Sequence, residues 1–135
     1  MIVDATDAIA GRLASFVAKQ ALHGEKVDVV NVEKAILTGG KAFLMEKFQH
    51  RRDRGTPTTG PFYPRNAHQV FKRMVKGMLP TKQTRGREAI RRVRCYMGVP
   101  ESFQGKEAVK RDDVSQLQTR KYITLKELSK LLGAQ

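Results

Sequence analysis

Arginine and lysine crowd the middle of this chain. Between residues 51 and 94 stand Arg51, Arg52, Arg54, Arg65, Lys72, Arg73, Lys76, Lys82, Arg85, Arg87, Arg91, Arg92 and Arg94, thirteen cations against only Asp53 and Glu88. Ten of the thirteen are arginine, and that choice carries chemistry. A guanidinium is a planar fork that grips two phosphate oxygens at once and stacks on a base, whereas an ammonium is a point charge. A merely solvated surface mixes lysine with glutamate instead. The pattern predicts phosphate recognition along a nucleic acid.

Other constellations are weaker. Thr38-Gly39-Gly40-Lys41 is a glycine turn before a helix, a place where phosphates bind. A Walker A loop, however, requires Gly, four residues and then Gly-Lys-Ser/Thr. Here position 35 is alanine and Ala42 follows Lys41. A tight strand-to-helix turn is the preferred reading, and an RNA phosphate at that helix start is the alternative. His23, His50 and His68 have no ligand spacing and read as surface histidines. Cys95 lies in an apolar strand beside Tyr96 and reads as a buried, inert thiol. As the sole cysteine it forms no internal disulfide. Asp112-Asp113 adjoin Lys110-Arg111, a solvated charge cluster rather than a metal site. No catalytic group, metal or cofactor is expected.

The whole chain has 135 residues, 40% apolar and 29% charged, a soluble single-domain balance. No apolar run reaches the roughly 18 residues of a membrane span, and Met1-Ile2-Val3-Asp4-Ala5 lacks the pattern of a secretory signal. A cytoplasmic protein is expected. The net charge of +13 is unevenly placed: zero over residues 1–50, +11 over 51–94 and +2 over 95–135. An evenly solvated surface has no reason to segregate charge so. The first third reads as scaffold and the middle as binding element.

The elements that must position these cations are legible in part. Ile2 to Ala5 suggests a strand, and Ile9, Leu13, Phe16, Val17 and Ala21 share one helical face that ends at His23-Gly24. Val27, Val29, Val30 and Val32 form a β-branched run suited to a buried parallel strand. Strand, helix and strand make a βαβ unit, and Ala35 to Thr38 suggests a further short strand. A second helix is predicted over 41–52, with Phe43, Leu44 and Phe48 inward. Gly55, Pro57, Gly60, Pro61 and Pro64 make 53–64 an extended loop. A third helix over 67–79 shows Val70, Phe71, Met74, Val75, Met78 and Leu79 inward and Lys72, Arg73 and Lys76 outward, and Pro80 stops it. A short helix over 87–92 leads into a strand over 93–97. Thr124 to Glu127 fits a capping box ahead of Leu128, Leu131 and Leu132. The absence of helix-turn-helix, zinc-finger and zipper signals argues against DNA. An arginine-flanked Pro/Gly loop suits the irregular surface of folded RNA.

Gly11-Arg12-Leu13-Ala14-Ser15, Gly60-Pro61-Phe62-Tyr63-Pro64-Arg65 and Lys76-Gly77-Met78-Leu79-Pro80 with Arg85-Gly86 together resemble the universal large-subunit ribosomal protein L-thirteen family, archaeal type. The resemblance runs from about Val3 to Pro100 and fades beyond. Asn66-Ala67, near a place where the family often has proline, and Gln83 depart from its pattern. The resemblance implies a three-layer α/β/α fold around a small, mainly parallel four-stranded sheet, with an extended basic loop and a helical C-terminal tail. It implies a domain over 1–100 that contains the basic segment 51–94, and an extension over 101–135 packing on the domain or on ribosomal partners. It implies large-subunit ribosomal RNA and neighbouring ribosomal proteins as partners, and a structural and assembly role in the cytoplasmic ribosome. No catalysis, membrane or small-molecule substrate is implied. A free RNA-binding translational regulator is the alternative.

Overall fold

The valine-rich run occupies the place its composition demands, the centre of a parallel sheet. The structure, a computed structural model, describes residues 1–110 and 112–134, apart from the side chains of Asp112 and Asp113. Strand β1 (Ile2–Asp4) passes through helix α1 (Ala10–Leu22) to β2 (Val27–Val30). A 3-10 turn (Val32–Lys34), β3 (Ile36–Thr38) and helices α2 (Lys41–Asp53), α3 (Ala67–Gly77) and α4 (Thr84–Arg92) precede β4 (Val93–Cys95). A short α5 (Asp112–Ser115), β5 (Tyr122–Thr124) and α6 (Leu125–Leu131) complete the order.

The parallel sheet runs β1-β2-β4, with Val3 opposite Val29 and Val29 opposite Cys95. Successive side chains point to opposite faces. One face therefore carries Val3, Val27, Val29, Val93 and Cys95, and the four valines on it are wholly buried. The other face carries the buried Val30 together with Ile2, Asp28 and Arg94, which stay half-buried or exposed.

The expected four-stranded sheet is corrected to three strands. Asn31, in the left-handed region at φ 54°, starts the 3-10 turn that carries the chain out of the sheet after Val30. Strand β3 then pairs antiparallel with β5, a partner too far along the chain for local patterning to reveal. At the outer edge of β1 the parallel sheet gains an isolated bridge from Val3 to Val109. The Val109 amide donates to the Ile2 carbonyl at 2.9 Å.

Asp4 closes the strand ends. Its Oδ1 accepts from Thr6 Oγ1 at 2.7 Å, from the Thr6 amide at 3.0 Å and from Asn31 Nδ2 at 3.0 Å. Burial alone would raise the carboxyl; these hydrogen bonds and the charge of Lys110 outweigh it and hold the group below its ordinary 3.8.

The helices bury the faces that periodicity selects, with exceptions. Leu13, Ala14, Val17 and Ala21 of α1 are buried, while Ile9 and Phe16 are only partly so. Gly24, at φ +99°, ends the run as expected. Helix α2 buries only Leu44 and Phe48; Phe43, expected inward, is 62% exposed. Phe71 of α3 has no exposed surface, Met74 is half-buried and Met78 is exposed. Helix α3 ends at Gly77, before Pro80 as expected.

Helix α4 begins earlier than predicted because Gly86 permits its first turn to lie on the Pro80 backbone. A Cβ at Gly86 would stand 2.2 Å from the Pro80 carbonyl oxygen. Thr124 caps α6 by accepting from the Glu127 amide at 3.2 Å. The Glu127 carboxylate turns instead to Lys41, at 2.6 Å. Val114, Ile123, Leu125, Leu128 and Leu132 share one core with Val3, Leu13 and Phe71. The segment beyond residue 100 thus packs on the rest of the chain.

Candidate nucleic-acid interface

Each of the thirteen cations has a side chain at least partly open to solvent: Arg52, Lys72 and Arg92 are half-buried and the other ten exposed. Seven of them line three hollows that share lining residues. On α3, Gln69, Lys72, Arg73 and Lys76 follow an i, i+3, i+4, i+7 stripe on the side away from Phe71. These four, with Pro64, Thr81 and Ile90, line a groove of about 530 Å³. Arg73 also borders a second hollow, of about 250 Å³, with Arg51, Arg54, Pro61 and Tyr63. Arg52, Arg54 and Arg65 line a third, of about 290 Å³, along the Pro/Gly loop. Lys82, Arg85 and Arg87 are exposed around the turn after Pro80.

Arg91, Arg92 and Arg94 line a groove of about 400 Å³ together with Lys26, Asp28 and Glu88. Lys26 belongs by sequence to the neutral scaffold, and charge counting missed it. The sheet register puts it there. Val27 lies opposite Val93 and Asp28 opposite Arg94, so the residues preceding these strands, Lys26 and Arg92, are neighbours too.

Several of these arginines also have structural partners. Arg73 Nη1 donates to the Phe62 carbonyl at 3.1 Å and its guanidinium lies 4.6 Å from the Tyr63 ring centre. Arg52 donates to the Leu132 carbonyl at 3.1 Å, satisfying a carbonyl at the end of α6. Arg92 sits 3.6 Å from Glu88 and donates to the Ala21 carbonyl at 3.4 Å. The first two hold the loop. Gly55, at φ +83°, allows its return strand to close; a Cβ there would stand 1.8 Å from the Gly60 carbonyl oxygen. Ser129 Oγ of α6 donates to the Arg65 carbonyl at 2.8 Å. Both ends of the loop are therefore tied to the C-terminal helix.

The weaker candidates resolve differently. Lys41, the cation of the glycine turn, is engaged by Glu127, which favours the turn reading over a phosphate site. His23 and His50 are exposed, whereas His68 is half-buried on the first turn of α3, with Nδ1 enclosed and unpaired among the described residues. Burial pushes the Cys95 thiol up to about 12 against the pull of Lys72, with Asp28 adding to the rise. Such a thiol is un-ionised and unreactive at neutral pH. The Arg111-Asp112-Asp113 cluster lies outside the described residues and side chains. Among the described residues no group of three or more His, Cys, Asp or Glu is placed to hold a metal ion, and no helix is long and apolar enough to cross a membrane.

A family model described as ribosomal protein L13 matches residues 1–102. The chain belongs to that family. Large ribosomal subunit protein uL13 of Archaeoglobus fulgidus is 47% identical over 98% of this chain and 86% of its own length. Its counterpart in Haloarcula marismortui is 47% identical over 99% and 91% of the two chains. That of Thermoplasma acidophilum is 42% identical over 98% and 97%. The likeness to these archaeal relatives therefore continues past Pro100, where it was expected to fade, through β5 and α6. Those are the elements whose leucines complete the core. Of the positions expected to depart from the family pattern, Asn66 and Gln83 stand at the N-caps of α3 and α4, where neither makes a side-chain cap bond, and Ala67 is the first residue of α3.

Proposed function

We propose that the chain is a structural, non-enzymatic protein of the large ribosomal subunit that binds ribosomal RNA and supports subunit assembly and translation in the cytoplasm. The observation that carries this reading is the solvent access of thirteen cations from one segment, ten of them lining surface grooves, in a member of the L13 family. The proposed contacts are Arg51, Arg52, Arg54, Arg65, Lys72, Arg73, Lys76, Lys82, Arg85, Arg87, Arg91, Arg92 and Arg94, with Lys26 added by the sheet register. Residues 1–100 form the RNA-binding domain, and 101–135 an extension packing on the domain or on ribosomal partners, its described part favouring the first. On this reading the three-layer order is completed by the segment after β4.

Sedimentation of the native protein tests the assignment. Nearly all of it travels with large subunits if the reading holds; a sizeable soluble pool favours the free translational regulator instead. Crosslinking to ribosomal RNA within intact subunits tests the interface. Crosslinks should concentrate on 51–94 and Lys26, and a map confined to 1–25 and 101–135 would overturn the proposed contacts.

A further inference from the structure

Phe62 is the most exposed large apolar residue among those described, at 69%. A lone exposed phenylalanine is ordinary on a protein surface; its setting here is not. It stands in the Pro/Gly loop among arginines, lining the same groove as Arg52, Arg54 and Arg65. The backbone beneath it is fixed from several sides. Arg73 holds the Phe62 carbonyl at 3.1 Å, Tyr63 contacts the Arg73 guanidinium and forms a T-shaped pair with Phe48, and the Gly60 amide donates to the Thr56 carbonyl at 3.0 Å. The ring itself lies over the bare Cα of Gly60, where a Cβ would stand 3.1 Å from two ring carbons. The neighbouring aromatic, Tyr63, packs against the core, while Phe62 projects from it.

Keeping a phenyl ring in water has a cost that a fixed loop does not relieve by itself. The surrounding charge selects what covers it. A hydrophobic pocket on another protein would have to desolvate Arg54 and Arg65, whereas RNA pairs both with phosphates and offers the ring a base face. We propose that Phe62 is a stacking platform for an unpaired base of the ribosomal RNA whose flanking phosphates are held by Arg54 and Arg65. This rests on the RNA-binding reading above and adds to it an apolar contact. Stacking discriminates a splayed-out base from a paired one, so the loop recognises a bulge or single-stranded junction rather than a continuous helix.

The chain contains no tryptophan, so Phe62→Trp introduces a single fluorophore at the site. With a transcript of the large-subunit ribosomal RNA as probe, F62W should bind as tightly as the wild type, and its emission should be quenched and shielded from acrylamide. Phe62→Ala and Phe62→Leu should each weaken binding roughly 5- to 150-fold, the loss of one base-aromatic stack. The salt dependence should stay unchanged, because no charge is removed. Thermal unfolding of both variants should match the wild type, as the ring is exposed.

Unquenched F62W emission on bound RNA, or wild-type affinity in both F62A and F62L, overturns the proposal and makes the ring a protein contact. Full retention by F62L with weakened binding in F62A also overturns it, since an aliphatic contact is not a stack. Failure of the RNA-binding reading looks different: the wild type itself does not bind the transcript, or substituting Arg91, Arg92 and Arg94 has no effect.

Discussion

Residues 1–50 and 51–94 both build the buried core, yet they carry charge in opposite ways. The first region supplies Val3, Leu13, Val17, Val27 and Val29 to the interior, and the second supplies Val70, Phe71, Val75, Leu79, Ala89 and Val93. Their net charges are zero and +11. The basic segment is therefore not an appendage to the scaffold but part of it, with cations on whatever surface the apolar stripe leaves free. Helix α3 shows this most clearly, with Phe71 wholly buried and Lys76 exposed a little over one turn later. The difference teaches that charge is partitioned by face and only approximately by segment: Lys26, from the neutral region, shares a groove with Arg91, Arg92 and Arg94.

The largest expected effect tests whether the basic region is also core. Phe71→Ala should lower unfolding free energy by about 3–5 kcal/mol, as truncating a fully buried phenylalanine does, with Phe16→Ala costing clearly less because Phe16 is partly exposed. Chemical denaturation reads both. Equal midpoint shifts would mean that α3 does not hold its central position in the core.

Next comes the partition of charge. Raising salt from about 50 to 200 mM should weaken wild-type binding to ribosomal RNA on the order of a thousandfold, if roughly 6–10 phosphates are contacted. Replacing Arg91, Arg92 and Arg94 by glutamine should lower affinity and flatten that slope by about 0.7–0.9 for each phosphate left without its cation. Lys26→Gln should act in the same direction and Lys19→Gln should do nothing, although both lysines lie in the neutral third. Identical behaviour of Lys26→Gln and Lys19→Gln in salt titrations would return the boundary to the segment and deny the sheet register its role.

A smaller effect is expected where the two halves of the basic region meet. Gly86→Ala drives a Cβ into the Pro80 backbone, a clash no side-chain rotation relieves. It should cost about 1–3 kcal/mol, whereas Gly77→Ala, with open space around its Cβ position, should be neutral or slightly stabilising through helix propensity. Comparison of the two melting temperatures checks this.

The smallest effect lies in the scaffold. Because the Asp4 carboxyl is held below 3.8 in the folded chain, its contribution to stability is complete above that value. It disappears as pH falls through the depressed folded value. Stability measured between pH 5 and 2 should fall less steeply in Asp4→Asn than in the wild type; parallel curves would mean that Asp4 does not clasp the strand ends in solution.

Much of this molecule follows from local pattern. The 3.6-residue stripes of α1 and α3, the glycine end of α1, the stop before Pro80 and the cap at Thr124 are short-range consequences of side-chain size and backbone freedom, and they stand where the sequence puts them. The exposure of the thirteen cations follows in the same way, because an isolated charge is too costly to bury. Phe43 and Met78 depart from their stripes and stay exposed, because only packing says which part of an apolar face is covered.

What tertiary structure alone decided are contacts between distant positions. It took β3 out of the parallel sheet to meet β5, tied both ends of the basic loop to α6, seated Gly86 on Pro80 and brought Lys26 beside Arg92. Sequence patterning reports the energy of each residue against water, which depends on its own chemistry. The choice among distant partners depends on register and chain reversal, which are settled only when the whole core closes.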